Sequence, residues 1–311
     1  MRVGVVFPGQ GSQVVGMGVD VARAYPAAAT CFRTAKTILG YDLLALCANA
    51  SDEQLRETRY AQPAIFVTNV ALAQAAGGVL DPVVSAGHSF GEYCSLTLAG
   101  ALTFETALSL VNQRGLAMQR ATVHAQGAMA AVLGLAPDAL RAAVAQAVAE
   151  GAGRVQLANF NAPGQIVISG DAGAVRIAGD LALAAGAKRV VPLNVSGAWH
   201  SVLMEPARDE FARHVNDAMV MLPRFTVISN VDAQPYTDVE QIKTNVIRSV
   251  TDEVLWHDTA VALASNELDL VVEFGASAVL APMFKRIPNA PKAITVSDAA
   301  GVEKLRELIA G

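Results

Sequence analysis

The sequence predicts a large α/β domain of the α/β-hydrolase-like type, built on a mostly parallel sheet, with a small ferredoxin-like subdomain inserted into it. Short apolar, β-branched runs alternate with longer Ala- and Leu-rich segments of helical periodicity. This alternation is typical of a parallel sheet that helices cover on both faces. The runs that we predict as buried strands of the large sheet are residues 3–7, 83–87, 225–231 and 268–274.

A change of pattern over residues 127–193 predicts the subdomain. The predicted order there is strand, helix, strand, strand, helix, strand, which is the ferredoxin-like βαββαβ arrangement. Pro163 and Gly164 lie between the second and third strands, where a hairpin turn is needed. We therefore divide the chain into a large catalytic domain, residues 1–126 and 194–311, and this subdomain.

The composition excludes some classes of partner. The chain has 311 residues, 53% of them hydrophobic, which is enough for a sizeable core. Only 16% are charged and the net charge is −5, so there is no general attraction to nucleic acid or to an anionic membrane. The apolar stretches fall well short of the ~20 residues of a membrane helix. We expect no nucleic-acid or membrane partner.

The cysteines and the N-terminus predict a cytoplasmic protein. Cys31, Cys47 and Cys94 are odd in number and have no close pair, so they give neither a disulfide framework nor metal-ligand spacing. The first residues contain one basic side chain and an apolar run too short for the core of a signal peptide. We expect a reducing compartment and no bound metal.

The sharpest local signal is the G-x-S-x-G motif Gly87-His88-Ser89-Phe90-Gly91, set between a predicted strand and a predicted helix. A tight strand-to-helix turn needs glycine where side chains would clash. It also presents the serine hydroxyl beside the first N–H groups of the helix, which favour negative charge. The motif predicts a serine nucleophile, and the alternative is a glycine-rich turn with an incidental serine.

A serine nucleophile needs a base, and His200 is the best candidate. It follows a predicted strand in a loop of small residues, where a catalytic side chain can lie at a cleft. His214 follows helix periodicity, and His124 and His257 resemble it in having no active-site context. For His88, within the elbow, packing and substrate contact remain equally open.

Several segments, in order and nearly end to end, resemble the malonyl-CoA:acyl carrier protein transacylase family, which includes the acyltransferase domains of fatty acid and polyketide synthases. The inserted ferredoxin-like subdomain also belongs to that family. The segments that carry the resemblance are FPGQGSQ at 7–13, QPA at 62–64, GHSFGEY at 87–93, QRG at 113–115, NFNAPGQ at 159–165, GAWHS at 197–201 and KR at 285–286.

The resemblance implies a ping-pong reaction that carries a malonyl group from malonyl-CoA to the phosphopantetheine thiol of an acyl carrier protein. It implies that Ser89 is the nucleophile and His200 the base. The backbone N–H groups of Gln10 and Phe90 would form the oxyanion hole, which explains the glycines of the first loop. Arg114 would bind the free carboxylate of the acyl group, because its planar fork can donate two hydrogen bonds.

Other positions leave alternatives open. Outside the resemblance, Arg114 can equally be a solvated residue of a helix. Gln62, His88 and Asn161 line the pocket in this interpretation, but turn and capping roles explain them nearly as well. Trp199 belongs to the same acyl pocket.

The sequence departs from the family pattern at four places. Phe90 stands where Leu is usual, and Trp199 where Phe is usual. Both add bulk, which favours malonyl over methylmalonyl or redirects the pocket to an unusual acyl group. Ser249 replaces a common Gln near the segment that orients His200, so that orientation depends on whether the backbone or the side chain does the work. The segment Gly275-Ala276-Ser277 replaces Gly-Pro-Gly, from which we expect only a local loosening.

Two competing functions use the same residues. A related hydrolase would release the acyl group to water, but a carboxylate-binding Arg114 argues against it. A catalytically silent scaffold that only docks carrier proteins would not need both Ser89 and His200.

Partners and cofactors follow from the resemblance and from the motifs. A carrier protein is usually acidic, so its docking surface should be basic, and the candidates are Lys188, Arg189, Lys285 and Arg286. The glycines of FPGQGSQ lack both the phosphate-loop Lys and the dinucleotide spacing. We expect no cofactor beyond the coenzyme A of the substrate, and a monomer. The sequence leaves the pathway, fatty acid or polyketide, open.

Overall fold

The strands form two separate sheets in the structure, a computed structural model that describes residues 1–124 and 127–310 apart from the side chains of residues 123 and 124. Along the chain, the strands are β1 Val3–Phe7, β2 Pro82–Gly87, β3 Gly127–Leu133, β4 Val155–Ala162, β5 Gln165–Asp171, β6 Arg189–Pro192, β7 Thr226–Ile228, β8 Leu270–Phe274 and β9 Lys292–Val296. The larger sheet has the order β7-β2-β1-β8-β9 with parallel pairing throughout. The smaller sheet has the order β4-β5-β3-β6 and is antiparallel.

Helices cover both sheets. They are α1 Val19–Ala24, α2 Pro26–Leu39, α3 Leu43–Asn49, α4 Asp52–Arg56, α5 Thr58–Ala76, α6 Gly91–Leu98, α7 Phe104–His124, α8 Pro137–Ala149, α9 Ala172–Ala184, α10 Glu205–Asp217, α11 Val239–Arg248, α12 Trp256–Ala264, α13 Ala281–Phe284 and α14 Ala299–Ala310, with 3₁₀ turns at Gly77–Val79 and Val202–Met204. Among the described residues, no helix combines the length and the apolar character needed to cross a bilayer.

The smaller sheet confirms the predicted ferredoxin-like arrangement. Its elements follow the order β3, α8, β4, β5, α9, β6, and each helix crosses over before the next strand. Strands and helices enclose a hydrophobic core of their own, separate from that of the larger sheet. The division of the chain at residues 127 and 193 stays a prediction. Residue 126, at the first boundary, lies outside the described residues.

The larger sheet confirms the predicted α/β class, but two strands differ from the sequence prediction. The predicted strand 225–231 ends at Ile228, because the N–H of Ser229 donates to the carbonyl oxygen of Gln234 and the chain turns. Strand β9 was not predicted. It lies at the edge of the sheet, and only Val296 of its five residues is fully buried, so it has no continuous apolar run.

The turn between β2 and α6 is a close-packed elbow that places Ser89 at the carboxyl edge of the larger sheet. Ser89 has φ 53°, a left-handed conformation that few non-glycine residues adopt. A Cβ atom at Gly87 would lie 2.0 Å from the backbone carbon of Gly91, and one at Gly91 would lie 2.3 Å from the carbonyl oxygen of Phe7. Only glycine fits at either position, so the elbow is pressed directly onto the end of β1.

The two sheets are joined beside this elbow. The N–H of Phe160 in β4 donates to the carbonyl oxygen of Val254 at 2.9 Å, and the N–H of Val254 donates to Ala158 at 2.8 Å. Farther along, Arg286 donates to the side-chain oxygen of Gln165 at 2.9 Å. The small sheet is therefore held against the edge of the large sheet on which Ser89 lies.

Replacing Gly91 by Ala tests the elbow. The added methyl group meets a backbone carbonyl oxygen rather than a movable side chain, so we expect a loss of about 1–3 kcal/mol of unfolding free energy. We also expect slower acylation of Ser89. Urea unfolding and intact mass after acylation measure the two effects.

Gly173→Ala is the matched control. Gly173 also lies in the first turn of a helix, but a Cβ there meets nothing within 4 Å. Because Ala is favoured over Gly within a helix by about 1 kcal/mol, this variant should be as stable as the wild type or slightly more stable. Equal unfolding curves for the two variants would contradict the close packing described for Gly91.

Candidate active site

Ser89 and His200 meet in a cavity of about 420 Å³ that lies between the two sheets. The Oγ atom of Ser89 is 2.8 Å from Nε2 of His200. Met129, Asn159 and Val167 of the small sheet form part of the cavity wall. The Ser89–His200 pair therefore lies outside the small sheet, which closes one side of the cavity.

Backbone atoms orient His200. Its Nδ1 is 3.2 Å from the carbonyl oxygen of Asp252. A carbonyl oxygen only accepts, so Nδ1 carries the proton and Nε2 is free to accept the hydroxyl proton of Ser89. The hydroxyl of Ser249 points away and donates to the carbonyl oxygen of Val246 at 2.8 Å. Serine is therefore tolerated at position 249, because a backbone carbonyl performs the orientation.

His200 is held in its neutral form. It is 4% exposed, and burial, followed by the positive charge of Arg114 and by His88, lowers its pKa to about 3. A neutral imidazole is the form that can take a proton. The histidine is thus a competent base at neutral and mildly acidic pH.

Gln156 forms hydrogen bonds to the loop that carries His200, and the sequence pattern did not predict this role. Its Nε2 lies 3.3 Å from the carbonyl oxygens of both His200 and Thr251, and its Oε1 accepts from the N–H of Val202 at 3.0 Å. Gln156 lies on β4 of the small sheet. Gln156 is one of three uncharged polar side chains in β4, and nothing in that pattern reveals a partner more than 40 residues away.

The first loop lies against the nucleophile. A Cβ atom at Gly9 would be 2.7 Å from the carbonyl oxygen of His88 and 3.5 Å from the Cβ of Ser89. Among the described residues, the backbone N–H groups of Gln10 and Phe90 donate to no protein acceptor. Two unpaired donors therefore flank Ser89, where an oxyanion would form.

The segment that departs from Gly-Pro-Gly holds this loop. The hydroxyl of Ser277 donates to the carbonyl oxygen of Ser12 at 3.0 Å. A Cβ atom at Gly275 would lie 2.4 Å from the ring of Pro8, so the two segments pack closely. Ala276 stands at the proline position and lacks the rigidity of proline. The neighbouring Ser277 instead supplies a hydrogen bond between the two segments.

Arg114, on α7, is buried at the cavity floor rather than solvated. It is 1% exposed, its Nη2 is 3.4 Å from Ser89 Oγ, and Cζ is 6.0 Å from the centre of the Phe90 ring. Its Nε and Nη1 have no hydrogen-bond partner among the described residues. A buried guanidinium with free donors beside a serine nucleophile suits an acyl group that carries its own carboxylate.

The remaining predicted pocket residues also line the cavity. His88 Nε2 is 2.8 Å from Asn161 Oδ1, and burial lowers the pKa of His88. Gln62 Nε2 lies 3.4 Å from the sulfur of Met118, and its Oε1 has no partner among the described residues. The indole of Trp199 is 5% exposed. His88 and Asn161 thus fix each other, whereas Gln62 keeps an acceptor free.

His214 and His257 lie apart from the cavity lining. His214 is exposed on α10, and His257 is half-buried on α12. The side chain of His124 lies outside the described residues. No group of three or more His, Cys, Asp or Glu side chains within residues 1–124 and 127–310 is arranged to hold a metal ion.

The basic candidates gather at one end of the small sheet. Arg189 is paired in register with Leu133, and Leu133 with Gln165, which accepts the hydrogen bond from Arg286. Lys188 and Lys285 are exposed next to them. Met283, three residues before Arg286, lines the cavity. The cluster of Lys188, Arg189, Lys285 and Arg286 is here called the basic edge.

A serine on a strand-to-helix elbow, a neutral histidine and two free backbone N–H groups define a class of enzyme that transfers acyl groups through serine. The acyl transferase domain family matches residues 5–303, and the chain belongs to that family. The resemblance stated from the motifs is thereby confirmed.

Named relatives agree with this assignment. The malonyl CoA-acyl carrier protein transacylase of Haemophilus influenzae is 39% identical over 311 residues, which cover 99% of each chain. The crystal structure of an acyl carrier protein S-malonyltransferase from Vibrio cholerae has a TM-score of 0.93 and 39% identity, and the match covers 98% of this chain and 100% of that chain. A structure of a type II PKS acyl-carrier protein in complex with its malonyl-transacylase has a TM-score of 0.94 and 38% identity, with coverage of 99% and 100%.

The pH dependence of serine acylation tests the coupling between Arg114 and His200. Protonation of His200 removes the base, and the positive charge of Arg114 opposes protonation. Arg114→Met should therefore raise the pKa of His200, and the acid limb of the rate should move to higher pH. In the wild type the limb that reports His200 should lie in the acid range, because the pKa of His200 is lowered to about 3.

Labelling of Ser89 by a fluorophosphonate across acidic to alkaline pH, measured by intact mass, provides the rates. This reagent has no carboxylate, so loss of substrate binding does not affect the profile. An acid limb at the same pH in wild type and variant would refute the coupling.

Proposed function

We propose that this chain transfers a malonyl group from malonyl-CoA to the phosphopantetheine thiol of an acyl carrier protein, through a malonyl ester of Ser89. The observation that carries the proposal is the buried Arg114, whose free donors lie beside the Ser89–His200 pair. The names of the full-length relatives agree with it.

The first half-reaction loads the serine. His200 Nε2 takes the hydroxyl proton while Ser89 Oγ attacks the thioester carbonyl carbon. The negative charge that develops on the carbonyl oxygen is stabilised by the N–H groups of Gln10 and Phe90, and removal of one such donor typically costs ~10²–10³ in rate. The C–S bond then breaks, the imidazolium returns its proton to the coenzyme A sulfur, and the malonyl ester remains on Ser89.

The second half-reaction repeats these steps with the carrier. The phosphopantetheine thiol gives its proton to His200 and attacks the ester carbonyl. The ester C–O bond breaks, and the proton goes to Ser89 Oγ. Both halves use one base that must alternate between neutral and protonated forms, and the Asp252 carbonyl stabilises the protonated form by accepting from Nδ1.

The cavity selects the acyl group by charge and by size. A malonyl carboxylate would pair with the free N–H groups of Arg114, an interaction that an acetyl group cannot make. Phe90 and Trp199 line the same cavity and limit its width. A methyl branch therefore meets bulk, which supports malonyl over methylmalonyl.

The basic edge would receive the carrier protein. Lys188, Arg189, Lys285 and Arg286 are exposed, and complementary charge steers an acidic partner to its site. Gln10, Gln62, His88, Asn161 and Trp199 would contact the acyl group or the pantetheine arm within the cavity. No further cofactor is part of this proposal, because coenzyme A arrives as the donor.

A monomer in the cytoplasm is the proposed setting. One chain supplies the nucleophile, the base and the arginine. Cys31, Cys47 and Cys94 are free and buried, in keeping with a reducing compartment.

Loading with different donors tests the acyl specificity. Wild-type protein incubated with malonyl-CoA should gain a malonyl adduct on Ser89 and pass it to carrier protein. Arg114→Ala should load malonyl about 10²-fold more slowly, because a charge-assisted pair is lost. The rate of acetyl loading should fall much less, because an acetyl group has no carboxylate to pair with Arg114. Intact mass records the adducts.

Arg120→Ala is the control, because Arg120 lies on the same helix but is exposed and paired with Glu210. It should load malonyl like the wild type. An adduct that decays to free acid without reaching the carrier would favour the hydrolase, and no adduct at all would favour the docking scaffold.

Charge reversal on the basic edge tests carrier docking. Lys285→Glu with Arg286→Glu should raise KM for the carrier several-fold and leave the rate of Ser89 loading by malonyl-CoA unchanged. The difference in KM between the variant and the wild type should be smallest at high salt, where charge steering is already screened in the wild type. Arg176→Glu combined with Arg213→Glu, at exposed positions of α9 and α10 outside the basic edge, is the charge-matched control. An unchanged KM for the carrier would remove these residues from the docking surface.

A further inference from the structure

Glu92 is a buried carboxylate three residues after the nucleophile, in the first turn of α6. It is 1% exposed. The hydroxyl of Tyr236 donates to its Oε1, and Nδ2 of Asn230 donates to its Oε2 at 2.6 Å. Glu92 does not line the cavity described above, so neither half-reaction gives it a task.

Asn230 connects this carboxylate to the backbone of Ser89. Its Oδ1 accepts from the Ser89 N–H at 3.0 Å, and its Nδ2 lies 3.1 Å from the Ser89 carbonyl oxygen. One fully buried side-chain amide thus pairs with both backbone groups of the nucleophile, as a neighbouring strand would. Ser89 has φ 53° and lies outside the strand pairing of β2, so these bonds replace those that the sheet does not supply.

The pairing works only if the amide of Asn230 faces one way. Turned over, its NH₂ group would face the Ser89 N–H and its oxygen would face the Ser89 carbonyl, and both pairs would repel. A carboxylate accepts hydrogen bonds and does not donate them, so Glu92 fixes the NH₂ group on its own side. An accepting carboxyl oxygen of Glu92 therefore holds Asn230 in the orientation that pairs with Ser89.

We propose that Glu92 is a positioning residue, which acts through Asn230 to hold Ser89 in the left-handed conformation that aims its Oγ at His200. This inference rests on the proposed role of Ser89 as nucleophile. Filling space does not explain a carboxylate here, because an apolar side chain of similar volume would fill the site without the desolvation penalty. Burial raises the pKa of the Glu92 carboxyl to about 7, while the hydrogen bonds of Tyr236 and Asn230 lower it, which shows how strongly the site opposes a charge.

Glu92→Gln tests the proposal, since it keeps the volume and adds a donor that competes with Asn230. We expect single-turnover acylation of Ser89 to slow by about 10–100-fold, both with malonyl-CoA and with a fluorophosphonate, because the nucleophile is misaligned. KM for malonyl-CoA should stay within about twofold, because the cavity and Arg114 are unaltered. Asn230→Ala, which removes the amide and leaves the carboxylate, should show the same pattern and serves if Glu92→Gln does not fold.

A paired exchange gives a readout that a merely structural role would not change. In Asn230→Asp, two carboxylates face each other. In Asn230→Asp combined with Glu92→Gln, the new glutamine can donate to the new aspartate, which still accepts from the Ser89 N–H. The double variant should therefore acylate faster than Asn230→Asp alone, by about tenfold.

Thr259→Val is the control for loss of a buried hydrogen bond to the loop that contains Asn230. The hydroxyl of Thr259 donates to the carbonyl oxygen of Ser229, next to Asn230, at 3.2 Å. It should lower the melting temperature and leave the acylation rates within about twofold.

The proposal is overturned if Glu92→Gln acylates at the wild-type rate, or if Thr259→Val slows acylation as much. It is also overturned if the double variant is no faster than Asn230→Asp. Fluorophosphonate labelling of a wild type that fails to load malonyl would count against the malonyl function, and the labelling rates of the variants would still decide the role of Glu92.

Discussion

The close contact between the ends of β1 and β2 is the constraint on which the rest of the site depends. Parallel strands bring their carboxyl ends to one edge of a sheet, and here glycines let two turns touch through their backbones. Gly91 lies on Phe7, and Gly9 lies on His88. The free N–H groups on either side of Ser89 follow from this contact, because any side chain at those glycines would separate the loops.

The charges of the site are interdependent. Arg114 has free donors near Ser89, and its positive charge is the second cause, after burial, that lowers the pKa of His200. In the proposed function, the arrival of a negative acyl group would offset that charge and make the imidazole more basic. Substrate binding and activation of the base would then be coupled, and a neutral acyl group would provide neither the contact nor the change in basicity.

Local sequence patterns predicted those parts of the site that are made from contiguous residues. The elbow around Ser89 follows from glycine spacing and the adjoining strand, and the small-residue loop around His200 marks a cleft. Arg114 could be predicted to face the pocket only from the family resemblance, because the pattern of its helix fits a solvent-exposed arginine equally well. Gln156 and Asn230 escaped detection because hydrophobic periodicity reports which face is buried and not which distant polar group lies opposite. Their partners are 44 and 141 residues away.

The unpaired Nε and Nη1 of Arg114 have a thermodynamic consequence. No protein group among the described residues occupies these donors, so a carboxylate that binds there displaces no protein hydrogen bond. A ligand that binds the folded chain and not the unfolded chain stabilises the fold by mass action. A dicarboxylic acyl group bound at Arg114 would therefore raise the unfolding free energy of the chain as well as occupy the site.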